Sequence, residues 1–472
     1  MNEILFLHPD RFLGQTDEII SVARRIFAEV GSLPIISPHG HTEPRWFAHN
    51  EVFHNPTDLL IVPDHYIFRM LYSQGVSLEE LRIPIAGHSS NVSSSEAWQT
   101  FAEHYYLFQG TPTRIWLDHV FYEVFGLKEV LCAETAQDYY LQISNRLKND
   151  LYRPRAILDR FKIEFLATTD GPLDSLEFHE QIMQTDFAGR IVPTFRPDDI
   201  TDPDTPEFLG NICRLAEITG EETTTWNGYL AALRDRRNFF KSRGAVATDH
   251  GHPTARTSDL SIVECRTLFE KCLSGNADHQ EKEYFRGQML TEMAAMSLDD
   301  GLVMQLHAGV SRNHNRTLFN QFGRDKGADI PTSIDYVESL KPMLNRFGNE
   351  SSLSVILFTL DESTYSRELA PLAGHYPCLK VGPAWWFHDS PEGMMRYRQQ
   401  VSETAGFYNT VGFNDDTRAL FSIPARHDLA RRIDCQFLAG WVVQRRFTEH
   451  QAIRLAKDLA YGLAKDAYRV GY

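Results

Sequence analysis

Leu33-Pro34-Ile35-Ile36-Ser37-Pro38-His39-Gly40-His41 is an apolar run that stops at proline and is followed at once by two histidines. The run does not alternate in polarity, which suits a strand buried on both faces, as in a parallel sheet. Working outward, seven more runs of this kind recur, at 162–169 (KIEFLATT), 190–195 (RIVPTF), 244–248 (GAVAT), 302–307 (LVMQLH), 354–359 (SVILFT), 378–382 (CLKVG) and 408–413 (YNTVGF). Longer stretches with helical periodicity lie between most of them; the stretch at 173–183 is one example. Eight buried strands joined by helices fit a (β/α)₈ TIM barrel of the α/β class, with a doubly wound sheet as the other architecture to weigh. The gap between the first two runs is too long for one crossover. Residues 64–159 read as helical and aromatic-rich, as in 101–108 (FAEHYYLF), so we expect a helical insertion within a single domain spanning 1–472. The stretch at 451–468 (QAIRLAKDLAYGLAKDAY) is amphipathic and expected to pack as a helix.

Bulk composition narrows the function. Of 472 residues, 42% are hydrophobic, enough for a large core and too many for a disordered chain. The formal charge of -16 disfavours nucleic acid and anionic membrane surfaces as partners. An anionic substrate would therefore need local arginine, histidine or metal charge to offset the global field. The residues at the start, MNEILFLHPD, carry no basic segment followed by a long apolar run, and no stretch approaches membrane-spanning length. Six scattered cysteines without a CxxC spacing read as reduced core residues, so a cytoplasmic location is expected.

In a TIM barrel, chemistry sits where strands end. Histidines at 39 and 41 project the same way from a strand end, so both imidazoles can reach one ion. The pattern is weak alone: with 19 histidines, about one such pair arises by chance. Here there are two, because Asp249-His250-Gly251-His252 also follows a run, and composition does not choose between them. Other ends add Thr169-Asp170, Arg196-Pro197-Asp198, His307 and Asn414-Asp415-Asp416-Thr417-Arg418. Any one of these can be a helix cap or a solvated charge, but together they ring one rim with His, Asp and Arg. Two imidazoles and a carboxylate from the eighth end make an N, N, O set for one divalent metal, Zn²⁺ first and Mn²⁺ as the alternative. No lysine ends the fourth run and no histidine ends the sixth, so a single ion is the economical reading. Arg196, Arg312 and Arg418 are candidates for a substrate carboxylate or hydroxyls, since guanidinium presents a planar fork. Trp385 and Trp386 follow the seventh run and are positioned to stack on a sugar face or to close the mouth by packing.

Read in order, these motifs resemble the uronate isomerases of the amidohydrolase superfamily. The resemblance runs through Pro34-Ile35-Ile36 to His39-x-His41; Asp64-His65-Tyr66 with Arg69; Thr168-Thr169-Asp170-x-Pro172; Pro193-Thr194-x-Arg196-Pro197-Asp198; Asp249-His250-Gly251; Met304-Gln305-Leu306-His307 with Arg312-Asn313; Trp385-Trp386-Phe387; and Asp416-x-Arg418, then Arg426-His427. It implies interconversion of D-glucuronate with D-fructuronate and of D-galacturonate with D-tagaturonate, an intramolecular oxidoreduction. It also implies metal ligation by His39, His41 and Asp416, with His65, Tyr66, Arg196 and Arg418 against the substrate and His307 as the superfamily's strand-five histidine; Arg312 and Trp385 join them as substrate-binding candidates on their own chemistry. Tyr66 is then the expected proton-transferring group, supported by Arg418, with Asp416 or a bound water as the competing base. The expected partner is a small uronate, met by a homo-oligomer. The other reading of the same rim is a mononuclear metal-dependent hydrolase of a small anionic ester, lactone or amide.

Overall fold

The computed structural model describes residues 3–85 and 90–471; of the 64–159 stretch, positions 86–89 lie outside the described residues. Seven of the eight expected runs contain strands: β1 (Ile35–Ser37), β2 (Ile163–Ala167), β3 (Ile191–Val192), β4 (Ala247–His250), β5 (Val303–His307), β8 (Val355–Phe358) and β9 (Leu379–Val381). A short antiparallel pair, β6 (Val310–Ser311) with β7 (Ile330–Pro331), was not anticipated and edges the loop after β5. The pairings of the seven are all parallel, in the orders β1-β2-β3 and β4-β5-β8-β9. Every residue of β4, β5 and β8 is buried, the polar Thr248, Asp249, His250, Gln305 and His307 included, so no buried–exposed alternation is seen along them.

Single bridges carry the parallel order across the interruptions. Phe195 bridges both Asp170 and Thr248, linking the two ladders, and Thr410 bridges Val381. The third run breaks early because Pro193 has no N–H to offer a ladder. The eighth run, 408–413, is not a strand. Thr410 turns back to Phe407, Gly412 sits at φ 74°, and a Cβ at Gly412 would stand 2.8 Å from the Leu459 carbonyl oxygen. Past the Thr410 bridge the backbone bends to meet the C-terminal helices instead of extending a ladder. The fourth strand lies two residues further along than expected at its end, so Asp249 and His250 belong to β4 itself.

Between β1 and β2 the chain forms a succession of helices, from Pro44–His49 to Pro154–Arg160. Their aromatic residues pack as one cluster, Phe68, Trp98, Phe101 and Phe121 among them, against Ile35 of β1 and Ile163 and Leu166 of β2. The helix His65–Tyr72 begins where the Asp64 carboxylate accepts from the Tyr66 N–H, a cap that pins Tyr66 in the first turn. The C-terminal amphipathic stretch is divided into Glu449–Lys457, a wider turn at Asp458–Gly462, and Leu463–Ala467. At its last residue, buried Tyr468 packs in a cluster with Ile36, Phe165, Val192, Ala247, Val303, Ile356 and Val411. No described helix is long and apolar enough to cross a membrane.

Candidate metal centre and substrate cleft

A cavity of about 790 Å³ opens at the C-terminal ends of the strands. His39, His41, His65, Tyr66, Arg196, His307, Arg312, Trp385, Asp416 and Arg418 all line it, so every expected site residue reaches one cleft. Four residues with positive φ that are not glycine line it as well: Asn313 (52°), Asp325 (60°), Trp386 (50°) and Asp416 (41°). Left-handed backbone at a bulky tryptophan and at a carboxylate facing two histidines is strain held where a site needs it.

The histidines that leave β1 approach one oxygen from the far end of the chain. His39 Nε2 lies 3.4 Å and His41 Nε2 3.1 Å from Asp416 Oδ1. Tetrahedral ligands about 2.0–2.1 Å from a zinc ion stand roughly 3.3 Å from one another, so this spacing is that of a shared cation. Among the described residues Asp416 Oδ1 accepts no hydrogen bond, which leaves its lone pairs for an ion. Burial lowers the His41 imidazole to about 4, so it is neutral and able to ligate at physiological pH. Burial works against charge on Asp416, but the His39 and His41 rings outweigh it and hold the carboxyl well below its usual range. The other oxygen, Asp416 Oδ2, is taken by the Trp385 indole N–H. Trp385 is 4% exposed and meets His307 edge-on at 4.6 Å, so it buttresses the carboxylate; of the two roles weighed for it, stacking on a sugar or packing at the mouth, these contacts are packing.

A second set, His39, Asp249 and His307, also brings its ligand atoms within 4.8 Å of one another. Its carboxylate is already engaged. Asp249 Oδ1 lies 2.5 Å from His307 Nδ1, and Asp249 Oδ2 lies 3.1 Å from Arg196 Nη1. Burial opposes the Asp249 charge, but Arg196 and His307 win and depress its carboxyl well below the usual value. The His39–His41–Asp416 set therefore suits an added cation better. The other histidine pair is engaged elsewhere: His250 Nε2 meets Thr248 Oγ1 within β4 at 3.0 Å, and His252 Nε2 meets Thr201 Oγ1 on the helix Asp198–Thr201 at 3.1 Å.

Cations flank the centre on the cleft side. A Cβ at Gly251 would stand 2.1 Å from Arg196 Nη2 and 3.0 Å from Arg312 Nη2, so only glycine lets both guanidiniums close on this spot. Arg196 is held by Asp198 at 2.8 Å, and Arg312 by Asp329 at 3.4 Å. Burial and the neighbouring Arg196 both lower the Arg312 pKa, an electrostatic cost that a bound anion would offset. Arg418 pairs with Asp325 Oδ2 at 3.2 Å. His65 has both ring nitrogens buried without a hydrogen-bond partner among the described residues, and burial lowers it to about 3, so a neutral imidazole stands ready for substrate hydroxyls. Burial also drives the Tyr66 phenol well above 10; the cation whose charge most opposes this is Arg426, not the expected Arg418. Sequence reasoning quoted Asp249 and Arg426 in motifs without giving either a task, and it missed Asp325 altogether. The contacts that reveal them join segments far apart in the chain.

Fold and site together define a mixed α/β enzyme whose strand ends gather two histidines, a carboxylate and several arginines around one cation position. The model of the glucuronate isomerase family matches residues 7–468, and the chain belongs to that family. It is 56% identical over 470 residues to the uronate isomerase of Xanthomonas axonopodis pv. citri, covering 99% of this chain and 100% of the relative. It is likewise 56% identical to the uronate isomerase of Phenylobacterium zucineum, covering 100% of this chain and 98% of that one. Among solved structures it is similar to the glucuronate isomerase from Caulobacter crescentus, with a TM-score of 0.98, 55% identity, and coverage of 100% of this chain and 98% of that one. It also superposes on the uronate isomerase from Thermotoga maritima, with a TM-score of 0.91, 29% identity, and coverage of 98% and 99%.

Proposed function

We propose that this chain is a uronate isomerase that interconverts D-glucuronate with D-fructuronate and D-galacturonate with D-tagaturonate. The observation that carries the reading is the His39–His41–Asp416 set standing in one cleft with the paired guanidiniums of Arg196 and Arg312. Its architecture in this reading is a single-domain (β/α)₈ barrel over 1–472 with residues 64–159 as a helical insertion. Supporting this, the parallel order runs from the first run to the eighth through bridges, and the His41 N–H reaches the Thr417 carbonyl at 2.9 Å across the seam. One apolar cluster draws residues from seven of the eight runs, as a closed interior would.

His39, His41 and Asp416 would hold a zinc ion, with manganese as the alternative. When bound, such an ion supplies positive charge against the uronate carboxylate and a neighbouring hydroxyl. Arg196 and Arg312 take anionic and hydroxyl oxygens through their planar forks, and His65 hydrogen-bonds a hydroxyl. His307 is held in place by Asp249 and faces the cleft through Nε2. Tyr66 is the proton-transferring hydroxyl. Being protonated, it gives its proton to O1 as the Asp416 carboxylate, or a water it holds, removes the C2 hydrogen to form the enediol. It then recovers a proton from O2 while C1 receives hydrogen, leaving the ketose. Arg418 supports the developing negative charge from the Asp325 side. This reading also expects a cytoplasmic homo-oligomer, consistent with six free cysteines.

Metal-loaded protein incubated with each aldouronate in D₂O and followed by proton NMR should yield the ketouronate with solvent deuterium at one carbon. Unchanged substrate, or turnover only of esters, lactones or amides with water added, would overturn the isomerase reading in favour of no reaction or of a hydrolase. Tyr66→Phe should lower turnover about 100-fold or more while sparing metal content; near-normal turnover removes Tyr66 from the reaction.

A further inference from the structure

The group behind Tyr66 is a buried cation that the reaction has not yet used. Arg426 is 1% exposed and belongs to the helix Ile423–Val443. Its guanidinium carbon stacks 3.5 Å from the ring centre of Trp116, on the helix Pro112–His119, and lies 5.4 Å from the ring centre of Tyr66. Trp116 in turn meets Tyr66 edge-on, with ring centres 5.6 Å apart and planes at 81°. The guanidinium is anchored from behind. Its Nη1 donates to Asp389 Oδ2 at 2.9 Å and to the Asp415 carbonyl at 3.1 Å. A cation clamped by a carboxylate, stacked on an indole and facing a phenol has one orientation open to it.

We infer that Arg426, aligned by Asp389 and Trp116, is a positioning residue that sets the place and polarity of the Tyr66 hydroxyl during proton transfer. The negative charge that appears on Tyr66 when it gives up its proton develops in a buried setting, where a fixed cation at this distance matters most. Arg418 is less suited, being drawn away towards Asp325. The same clamp ties three distant segments into the wall of the cleft, so a structural role must be separated from this one. The inference rests on the assignment of Tyr66 made above.

The test uses the metal-loaded full-length protein and D-glucuronate as the probe. Removing Arg426 alone would strand a buried carboxylate, so the charge pair is removed together in R426Q/D389N. We expect this variant to keep its metal and its KM within about 3-fold while kcat falls roughly 30- to 100-fold, within the range of general acid–base effects. R426K, which retains the charge but not the flat stack, should recover kcat to within about 10-fold of the parent. Three results overturn the inference: kcat of the double variant within about 3-fold of the parent, a loss carried by KM instead of kcat, or R426K as impaired as the double variant. Should the double variant not fold, R426K decides alone by whether its loss falls in kcat or in KM. Tyr66→Phe run alongside separates the two failures. If it turns over normally, the Tyr66 assignment falls and this inference with it; if it is impaired while the Arg426 variants are not, only the inference falls.

Discussion

Asp416 shows at the residue scale how much one carboxylate carries here. One oxygen faces two imidazoles, the other accepts the Trp385 indole N–H, and its backbone sits at φ 41°. Partners that orient a ligand tune the ion as well. Trp385→Phe keeps the shape of the wall and deletes that donor, so metal affinity, measured by competition with a chelator, should weaken roughly 10- to 100-fold. Unchanged affinity would mean the indole is only packing. Asp170, on the wall of the same cleft, offers a separate prediction. Burial pushes its carboxyl up to about 7, against the Thr168 hydroxyl bonded to it at 2.7 Å. A folded-state pKa above the unfolded one means the protonated side chain stabilises the fold at low pH, and that contribution is lost as pH rises through about 7. Asp170→Asn cannot ionise. Its stability relative to the parent, read by urea unfolding, should therefore increase from about pH 6 to about pH 8, and a flat difference would refute the buried, protonated carboxyl.

At the scale of elements, the strands were readable because strands buried on both faces run mostly apolar without alternation, with Asp249, His250 and His307 entering at their C-terminal ends. Bends were not. The eighth run satisfies the same pattern, yet Gly412 turns it away so that the backbone can pass the Leu459 carbonyl, a contact made by a helix nearly fifty residues later. The C-terminal amphipathic stretch was legible as packing, while what it packs into was not. At its end, the Tyr468 hydroxyl donates to Gln305 Oε1 at 2.8 Å in the middle of β5. Tyr468→Phe leaves that buried oxygen without its donor and should cost about 1–3 kcal/mol in unfolding free energy. It should leave kcat within about 3-fold, since Tyr468 does not line the cleft. A large fall in kcat at normal stability would show instead that the strand interior communicates with the site.

The whole molecule sets a global field against a local one. A formal charge of -16 repels an anionic substrate at long range, while Arg196 and Arg312 attract it within the cleft. Raising ionic strength from about 0.01 M to about 0.15 M shortens the screening length from roughly 30 Å to roughly 8 Å. This removes the distant repulsion and spares the short contacts, so kcat/KM for D-glucuronate should rise modestly with salt in that range. A fall would show that the arginines dominate the approach as well as the binding.

Reading the chain alone was enough for the parallel α/β character, the family resemblance and the cast of the cleft, because strand burial and reactive side chains at strand ends are local properties of short segments. It also brought His39 and His41 forward, though only the family pattern separated that pair from His250 and His252. Only the tertiary structure decided which cation stands behind Tyr66, that Trp385 holds a carboxylate, and that Asp249 is shared by His307 and Arg196. Each of those is a contact between segments tens to hundreds of residues apart, and through-space electrostatics has no period in the sequence by which to be read.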